Sequence, residues 1–275
     1  MKIERGPVIA SPAGAMTVDG IVATRTTRDG KTLALHAAGS LRSAFNAIGG
    51  AFVAAHPGHA VRLDFGPSGL LKDRLLTWPR GGVFAAANME HPEALARAGR
   101  AGPVRLFARN HLCALVRPGV DVTTATLVER MLDPAIKLGT STPRTDPSGD
   151  YAWELFDRVE RSGIAGARAW LEAKALQLVG GPTAPPADSL SKSAYAAILG
   201  GGQADIVLSY RTNAAQALRD NPRLRVVDVP AAFQVDAQYG VTVLAGSDAS
   251  AQQFVDFLLG ERGQSLLAAE GFGAP

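Results

Sequence analysis

The sequence predicts an α/β fold, because apolar strands and amphipathic helices alternate from residue 32 to the C-terminus. This alternation is typical of βαβ units and of sheets that are mostly parallel. A chain of 275 residues has room for one doubly wound domain or for two lobes, and the alternation alone leaves both open. No stretch reaches the roughly 18 uninterrupted apolar residues of a membrane-spanning helix.

The predicted strands are short apolar runs bounded by glycine, proline or polar residues. They span residues 32–37, 61–65, 82–87, 104–107, 112–116, 136–139, 205–209, 225–229 and 239–245. The predicted helices carry apolar residues three and four positions apart. They span residues 41–53, 70–76, 90–99, 125–132, 165–176, 194–199 and 251–269, and another follows Gly149.

Composition excludes several classes of function. Hydrophobic residues make up 47% of the chain and charged residues 19%, which is ordinary for a globular protein. The net charge is +3 and the basic residues are scattered, so nucleic acid is not an expected partner. The single cysteine, Cys113, lies in an apolar run, where we expect a small buried hydrophobe.

Residues 1–31 mix proline, glycine, threonine and charges. They lack the basic start and apolar core of a secretory signal, so no signal peptide is predicted there. We expect an N-terminal arm, whose role the residues do not define.

Three places share one local pattern, in which a glycine or proline and then a serine precede a predicted helix. The serines are Ser40, Ser68 and Ser148. Serine is a preferred N-cap, so capping alone could explain each of them. Helix N-termini also present free amides and partial positive charge to anions. Because such turns line the ligand crevice of an α/β sheet, the three together indicate a site for a small oxyanion.

Other polar residues give weaker signals. His56 and His59 are three apart but lack further metal ligands, so solvated histidines are expected. Asp146 and Asp150 could act as acid and base, although a helix dipole also explains Asp150. Tyr210 ends a predicted strand, where its hydroxyl could face a crevice or the surface. No hydrolase or nucleotide-binding motif is present, and no catalytic residue is predicted.

From residue 33 to the C-terminus the sequence resembles the periplasmic molybdate-binding proteins of ABC importers. The resemblance rests on LHAAGSLRSAF (35–45), FGPSGLL (65–71), VFAAAN (83–88), PSGDYA (147–152) and IVLSY (206–210). It implies ligand hydroxyls at Ser40, Ser68 and Tyr210 and backbone donors at Ser148 and near Lys192. Gly82 and Asn88 depart from the family, which usually has aspartate at both positions, and this leaves the anion open.

The fold implied by the resemblance is that of a type II periplasmic binding protein. Two α/β lobes are joined by two crossover segments, near residues 109–115 and 234–243, with a ligand cleft between them. Lobe one would comprise residues 32–110 and 238–275, and lobe two residues 111–237. Ser40 and Ser68 would then face Ser148, Lys192 and Tyr210 across the cleft.

The function implied is capture of molybdate or tungstate and delivery to the membrane subunits of an ABC importer. The resemblance further implies a periplasmic monomer without a cofactor, in which the metal is bound only as its oxyanion. Three alternatives remain open: a different solute such as sulfate or an organic anion, an effector-sensing domain, and an α/β transferase with Asp146 or Asp150 as its base.

The hydrogen-bonding groups of the site restrict which anion it can bind. Molybdate at neutral pH is a dianion without a proton, so it only accepts hydrogen bonds. Protonated phosphate needs an acceptor, and leaving its proton unpaired would cost about 1–3 kcal/mol. We therefore expect a site made of hydrogen-bond donors alone, which disfavours protonated phosphate. Such a site can distinguish sulfate from molybdate only by the size of the anion.

Overall fold

The computed structural model describes residues 9–10, 16–18, 21–23, 31–78, 81–181 and 193–275. No helix within these ranges is both long and apolar enough to cross a membrane.

The chain up to residue 97 forms six strands and three helices within the described ranges. The strands are β1 (Ile9–Ala10), β2 (Met16–Val18), β3 (Ile21–Ala23), β4 (Lys31–Ala38), β5 (His59–Gly66) and β6 (Val83–Ala86). The helices are α1 (Arg42–Ala55), α2 (Ser68–Thr77) and α3 (Glu90–Arg97). Strand β4 lies between β5 and β6 and is parallel to both. Its apolar residues are buried because helices cover the sheet.

The remaining described residues form the other strands and helices. The strands are β7 (Arg105–Val116), β8 (Leu138–Ser141), β9 (Leu176–Val179), β10 (Ile206–Tyr210), β11 (Arg225–Asp228) and β12 (Asp236–Val243). The helices are α4 (Leu127–Leu132), α5 (Pro147–Arg161), α6 (Ala167–Lys174), α7 (Ala194–Gly200), α8 (Arg211–Asp220), α9 (Ala249–Leu259) and α10 (Glu261–Ala269).

Strand β7 belongs to two sheets. Its first part pairs with β12, which continues the strand order β12-β6-β4-β5-β3-β2-β1 of the first sheet. Its second part pairs with β10 on one side and β11 on the other, and β8 and β9 continue this second sheet. The two sheets are therefore connected through one continuous strand.

The expectation of mostly parallel sheets is wrong. Among the described strands, parallel pairing is confined to β4 with β5 and β6, and to β8 with β9 and β10. Strands β7 and β12 pair antiparallel with each other, and they also pair antiparallel with β6, β10 and β11. The alternation of elements predicts βαβ units, but it does not reveal that β7 and β12 run against their neighbours.

Some element boundaries also differ from expectation, and some elements were not predicted. The two predicted strands at 104–107 and 112–116 are one strand, because β12 supplies ladder partners for the polar residues Arg109, Asn110 and His111. The predicted helix 251–269 is two helices, separated at Gly260, whose ψ of 168° is extended. Helix α8 and strand β9 were not predicted, since their sequences carry no clear apolar periodicity.

The apolar core is continuous between the sheets and their helices. Phe45 and Phe52 of α1 pack against Phe254 of α9, with ring centroids 5.9 and 5.3 Å away. Cys113 is fully buried, as expected, and this burial raises the pKa of its thiol to about 12. A thiol with such a pKa stays protonated and packs as a hydrophobe.

Candidate functional site

A cavity of about 720 Å³ lies between the two sheets. The carboxyl ends of β4 and β5 and the residues that follow them form one wall. The ends of β9 and β10, together with Asp146 and the start of α7, form the opposite wall. Ligands of α/β folds bind outside the carboxyl ends of the strands, so this cavity is the candidate site.

Ser40 lies in a short 3-10 turn, Gly39–Leu41, directly after β4. Its hydroxyl is 2.9 Å from the hydroxyl of Tyr239 on β12. The Asn110 side-chain amide donates to the same phenol oxygen at 3.3 Å. With an amide donating to it, the phenol can give its own proton to Ser40, which leaves the serine proton free for a ligand.

Ser68 is the first residue of α2 and is only 1% exposed. Its hydroxyl accepts a hydrogen bond of 3.1 Å from the Ala87 amide. Because one lone pair is occupied, the proton of the hydroxyl remains to be donated. Ser68 lines the cavity, so a ligand oxygen can accept that proton.

Tyr210 is the last residue of β10 and lines the cavity with 2% of its surface exposed. Its hydroxyl is buried without a hydrogen-bond partner among the described residues. Burial, and the neighbouring groups Tyr239 and Tyr151, raise the pKa of this phenol well above its usual value. It is therefore a neutral donor, and a buried donor without a partner marks a place that a ligand oxygen would fill.

Ser148 lies in the first turn of α5 but does not line the cavity. Its amide donates to the Asp146 carboxylate at 3.0 Å, so this predicted donor already has an acceptor. Lys192 falls in residues 182–192, outside the described residues. The nearest described residues before and after this segment, Gly181 and Ser193, both line the cavity.

Capping does not explain the three serines. The N-caps of α1, α2 and α5 are Leu41, Pro67 and Asp146, and only Asp146 accepts a bond from its helix. Ser40 and Ser68 instead bond to Tyr239 and Ala87, from elements distant in sequence. The capping alternative is therefore wrong for all three.

Asp146 contradicts the expectation of a site made of donors alone. Asp146 is half-buried and lines the cavity. Burial raises its pKa to about 6, while the Ser148 amide and the Ser141 hydroxyl lower it and the Asp150 carboxylate raises it. The cavity wall thus contains a strong acceptor as well as donors.

Arginines surround the same cavity. Arg42, Arg74 and Arg219 line it, together with one further carboxylate, Glu270. The Arg42 guanidinium lies 4.5 Å from the centroid of the Phe65 ring, which holds it against the cavity wall. A rim with more cations than anions attracts a small anion toward the hydroxyls.

The two departures from the family pattern do not touch this cavity. Gly82 has a φ of +130°, and a Cβ there would lie 2.2 Å from the Ala34 carbonyl oxygen. Asn88 accepts a hydrogen bond of 3.1 Å from the His91 amide at the start of α3. Neither Gly82 nor Asn88 lines the cavity, so neither bears directly on the anion.

Sequence reasoning missed the tyrosine cluster. The chain has four tyrosines, Tyr151, Tyr195, Tyr210 and Tyr239, and all of them lie at or beside the site. The rings of Tyr151 and Tyr239 lie 6.3 and 5.7 Å from that of Tyr210. No local pattern predicts the cluster, because Tyr239 reaches Ser40 only through the pairing of β6 with both β4 and β12.

No group of three histidine, cysteine or acidic side chains that could hold a metal ion occurs within the described ranges. The polar groups at the cavity are hydroxyls, amides, arginines and two carboxylates, which suit a ligand bound through hydrogen bonds.

These features define the fold of a type II periplasmic binding protein, as predicted. The chain belongs to the bacterial extracellular solute-binding proteins, whose family model matches residues 33–273. Members of this family bind solutes and are not enzymes, so the transferase alternative is dropped.

Two relatives illustrate the similarity in sequence. An uncharacterized protein of Pasteurella multocida is 34% identical over 232 residues, covering 81% of this chain and 90% of the relative. The molybdate-binding protein ModA of Mycobacterium tuberculosis is 27% identical over 282 residues, covering 95% of each chain.

Two solved structures illustrate the similarity in fold. The periplasmic molybdate-binding protein of Azotobacter vinelandii has a TM-score of 0.65 at 20% identity, covering 88% of this chain and 99% of that one. The sulfate-binding protein SubI of Mycobacterium tuberculosis has a TM-score of 0.71 at 17% identity, covering 88% and 86%. At these identities the likeness establishes the fold alone.

Proposed function

We propose that this protein captures a tetrahedral oxyanion, molybdate or tungstate, in the cavity between the sheets and delivers it to the membrane subunits of an ABC importer. The observation that carries the proposal is the convergence of the three hydroxyl residues Ser40, Ser68 and Tyr210 on one cavity. The name and sequence of the ModA relative support molybdate, and the bacterial extracellular family supports a periplasmic location.

The proposed ligand set is Ser40 and Ser68 from the first sheet, and Tyr210 with the backbone near Ser148 and Lys192 from the second. The Ser148 amide would contribute only by sharing its proton between Asp146 and the anion. We further propose lobe one as residues 32–110 with 238–275 and lobe two as 111–237. The continuous strand β7 supports a boundary near 110, since its pairing changes from β12 to β10 between His111 and Leu112.

Hydrogen bonds to a charged group contribute about 1.5–3 kcal/mol each, so a few neutral donors support tight binding of a dianion. The donors lie on opposite walls, so an anion that bonds to both holds the lobes closed. Such a ligand stabilises the folded protein by about 4 kcal/mol at a thousandfold excess over its Kd.

Thermal unfolding of protein stripped of bound ligand tests the proposal. Molybdate, tungstate, sulfate and phosphate are added separately at equal, low concentration in constant background salt. We expect Tm to rise by several degrees with molybdate and tungstate, at about 2–4 °C per kcal/mol for a chain of this size. A larger rise with sulfate would keep the solute-binding role and change the solute. No rise with any of the four would contradict the oxyanion proposal.

A further inference from the structure

An acidic side chain is unusual in an anion-binding site, and Asp146 supplies one here. Asp146 is half-buried and lines the cavity, as does Tyr210, whose hydroxyl has no hydrogen-bond partner among the described residues. Ser68 lies close by on the opposite wall, because the Gly69 amide donates a hydrogen bond of 2.8 Å to the Thr145 carbonyl. An anion held by Ser68 and Tyr210 would therefore lie near this carboxyl group.

Helix capping does not account for the charge at this position. Asp146 accepts from the Ser148 amide, but asparagine or serine caps a helix equally well without a carboxylate. Among the described residues, the groups that act on the carboxyl are the Ser148 amide, the Ser141 hydroxyl and the Asp150 carboxylate, and none of these is a cation. A half-buried charge without a positive partner among these residues is costly, so an acid at this position points to a role with ligand.

We infer that Asp146 is a ligand-contacting residue, and that the oxyanion binds together with one proton shared between this carboxyl and an anion oxygen. The inference deepens the function proposed above and rests on it. An ionised carboxylate and a dianion repel each other strongly at short range in a buried site. One added proton removes that repulsion and replaces it with a hydrogen bond.

The shared proton can be placed in two ways that give a complex of the same composition. Either the protonated carboxyl donates to a dianion, or a singly protonated oxyanion donates to the carboxylate. In both cases the complex holds one proton more than the ionised carboxylate and the free dianion, and solvent supplies it. The site therefore accommodates oxyanions with or without a proton of their own, which a site made of donors alone would not do.

Other titratable groups lie near Asp146 or line the cavity. Tyr195 on α7, Tyr210 on β10 and Tyr239 on β12 all have pKa values raised by burial, with a contribution from the nearby Asp146 charge. They stay protonated through neutral pH and cannot take up a proton. Arg42, Arg74, Arg219 and Glu270 line the wall as well. Asp146, whose pKa of about 6 lies closest to neutrality, is the group that takes up the proton.

Isothermal titration with molybdate on stripped protein tests the inference. Titrations at pH 7.5 in imidazole and in Tris, which differ in ionisation enthalpy, give the number of protons taken up on binding. We expect a value near one. We also expect Kd to rise by up to about tenfold per pH unit from pH 7 to 8.5, since one pKa unit corresponds to a factor of ten. Micromolar molybdate in this range stays a dianion.

Asp146→Asn keeps the side-chain oxygen that caps α5 and removes the titrating group. We expect no proton uptake and a Kd independent of pH in this variant. The matched control is Glu154→Gln on the same helix, whose carboxylate is 2.7 Å from Arg158, away from the cavity. It should retain the proton uptake of the parent.

The possible outcomes distinguish the inference about Asp146 from the solute-binding proposal. Molybdate binding by the parent without proton uptake, or uptake that persists in Asp146→Asn, overturns the inference and keeps the solute-binding proposal. Because the parent alone yields the proton count, a poorly folded variant does not prevent the test. No binding of molybdate, tungstate or sulfate by the parent at pH 6.5 or 7.5 overturns both.

Discussion

The Gly69 amide donates a hydrogen bond of 2.8 Å to the Thr145 carbonyl, which connects the start of α2 to the loop before α5. These residues adjoin Ser68 and Asp146, which line opposite walls of the cavity. The contact therefore holds the two walls together next to the site. Only glycine fits at this position, because a Cβ on residue 69 would lie 2.3 Å from the Arg144 carbonyl oxygen and 2.8 Å from that of Thr145.

Gly69→Ala is expected to weaken molybdate binding by about tenfold or more, because the walls can no longer approach to this distance. Stability should also fall, because a Cβ this close to backbone atoms forces the loop before α5 to move away and breaks the contact between the walls. Calorimetry measures the affinity, and small-angle scattering with and without molybdate measures closure. The control is Gly49→Ala in α1, whose Cβ would make an ordinary contact of 3.6 Å with Val61. Equal affinities in both variants would show that this contact is not part of closure.

Ser40→Ala and Ser68→Ala are each expected to weaken oxyanion binding by about 1.5–3 kcal/mol, or roughly ten- to a hundredfold, because each hydroxyl has a proton to donate. Calorimetry on both variants measures the loss, and circular dichroism checks the fold. Ser162→Ala is the control, since that hydroxyl donates to the Val159 carbonyl at the far end of α5. Unchanged affinity in both site variants would remove these hydroxyls from the ligand set.

Tyr210→Phe is expected to change binding and stability in opposite directions. It removes a buried hydroxyl that has no hydrogen-bond partner among the described residues, so the protein without ligand should gain up to about 1–3 kcal/mol of stability. Affinity for molybdate should fall, though by less than in the serine variants, because the ring still packs.

Tyr239→Phe provides the contrast for this prediction. Its hydroxyl bonds to both Ser40 and Asn110, so removing it should lower stability. Melting temperatures without ligand, together with titration calorimetry, compare the two variants. A Tyr210→Phe protein with lower Tm and unaltered affinity would mean that this phenol has a structural partner and no ligand.

Asp146→Asn is expected to stabilise the unliganded protein at high pH. Burial raises the folded pKa of Asp146 to about 6 from an ordinary value of 3.8. Ionisation therefore costs the folded state free energy, beginning near pH 4 and complete above pH 6. A shift of about two units corresponds to about 3 kcal/mol, which the variant should gain at pH 8 and largely lack at pH 4.5.

Unfolding of the parent and the Asp146→Asn variant in urea at pH 4.5 and pH 8 measures this difference. An equal gain at both pH values would assign the effect to packing and not to ionisation. Residues that lower the stability of the protein but contribute to binding are common at functional sites.

The sequence alone determined the class of elements and the place of the two serines. Ser40 and Ser68 follow apolar strands and precede amphipathic helices, and this local pattern is sufficient to place them at the carboxyl edge of a sheet. The ordered set of turns from Ser40 to Tyr210 also carried the resemblance that the family model confirms. These features depend on residues near one another in the chain, whose preferences are visible in the sequence.

The tertiary structure decided which strand lies beside which, and hence what each polar group contacts. Strand β6 pairs with both β4 and β12, which brings Tyr239 to Ser40 over 199 positions of the chain, and no local pattern encodes that contact. The burial of Asp146 likewise depends on walls supplied by both sheets, so its raised pKa and its place in the cavity were not predictable. A hydroxyl or carboxylate has the same sequence signature whether it caps a helix, faces solvent or binds an anion, because its role is set by the neighbours that folding places around it.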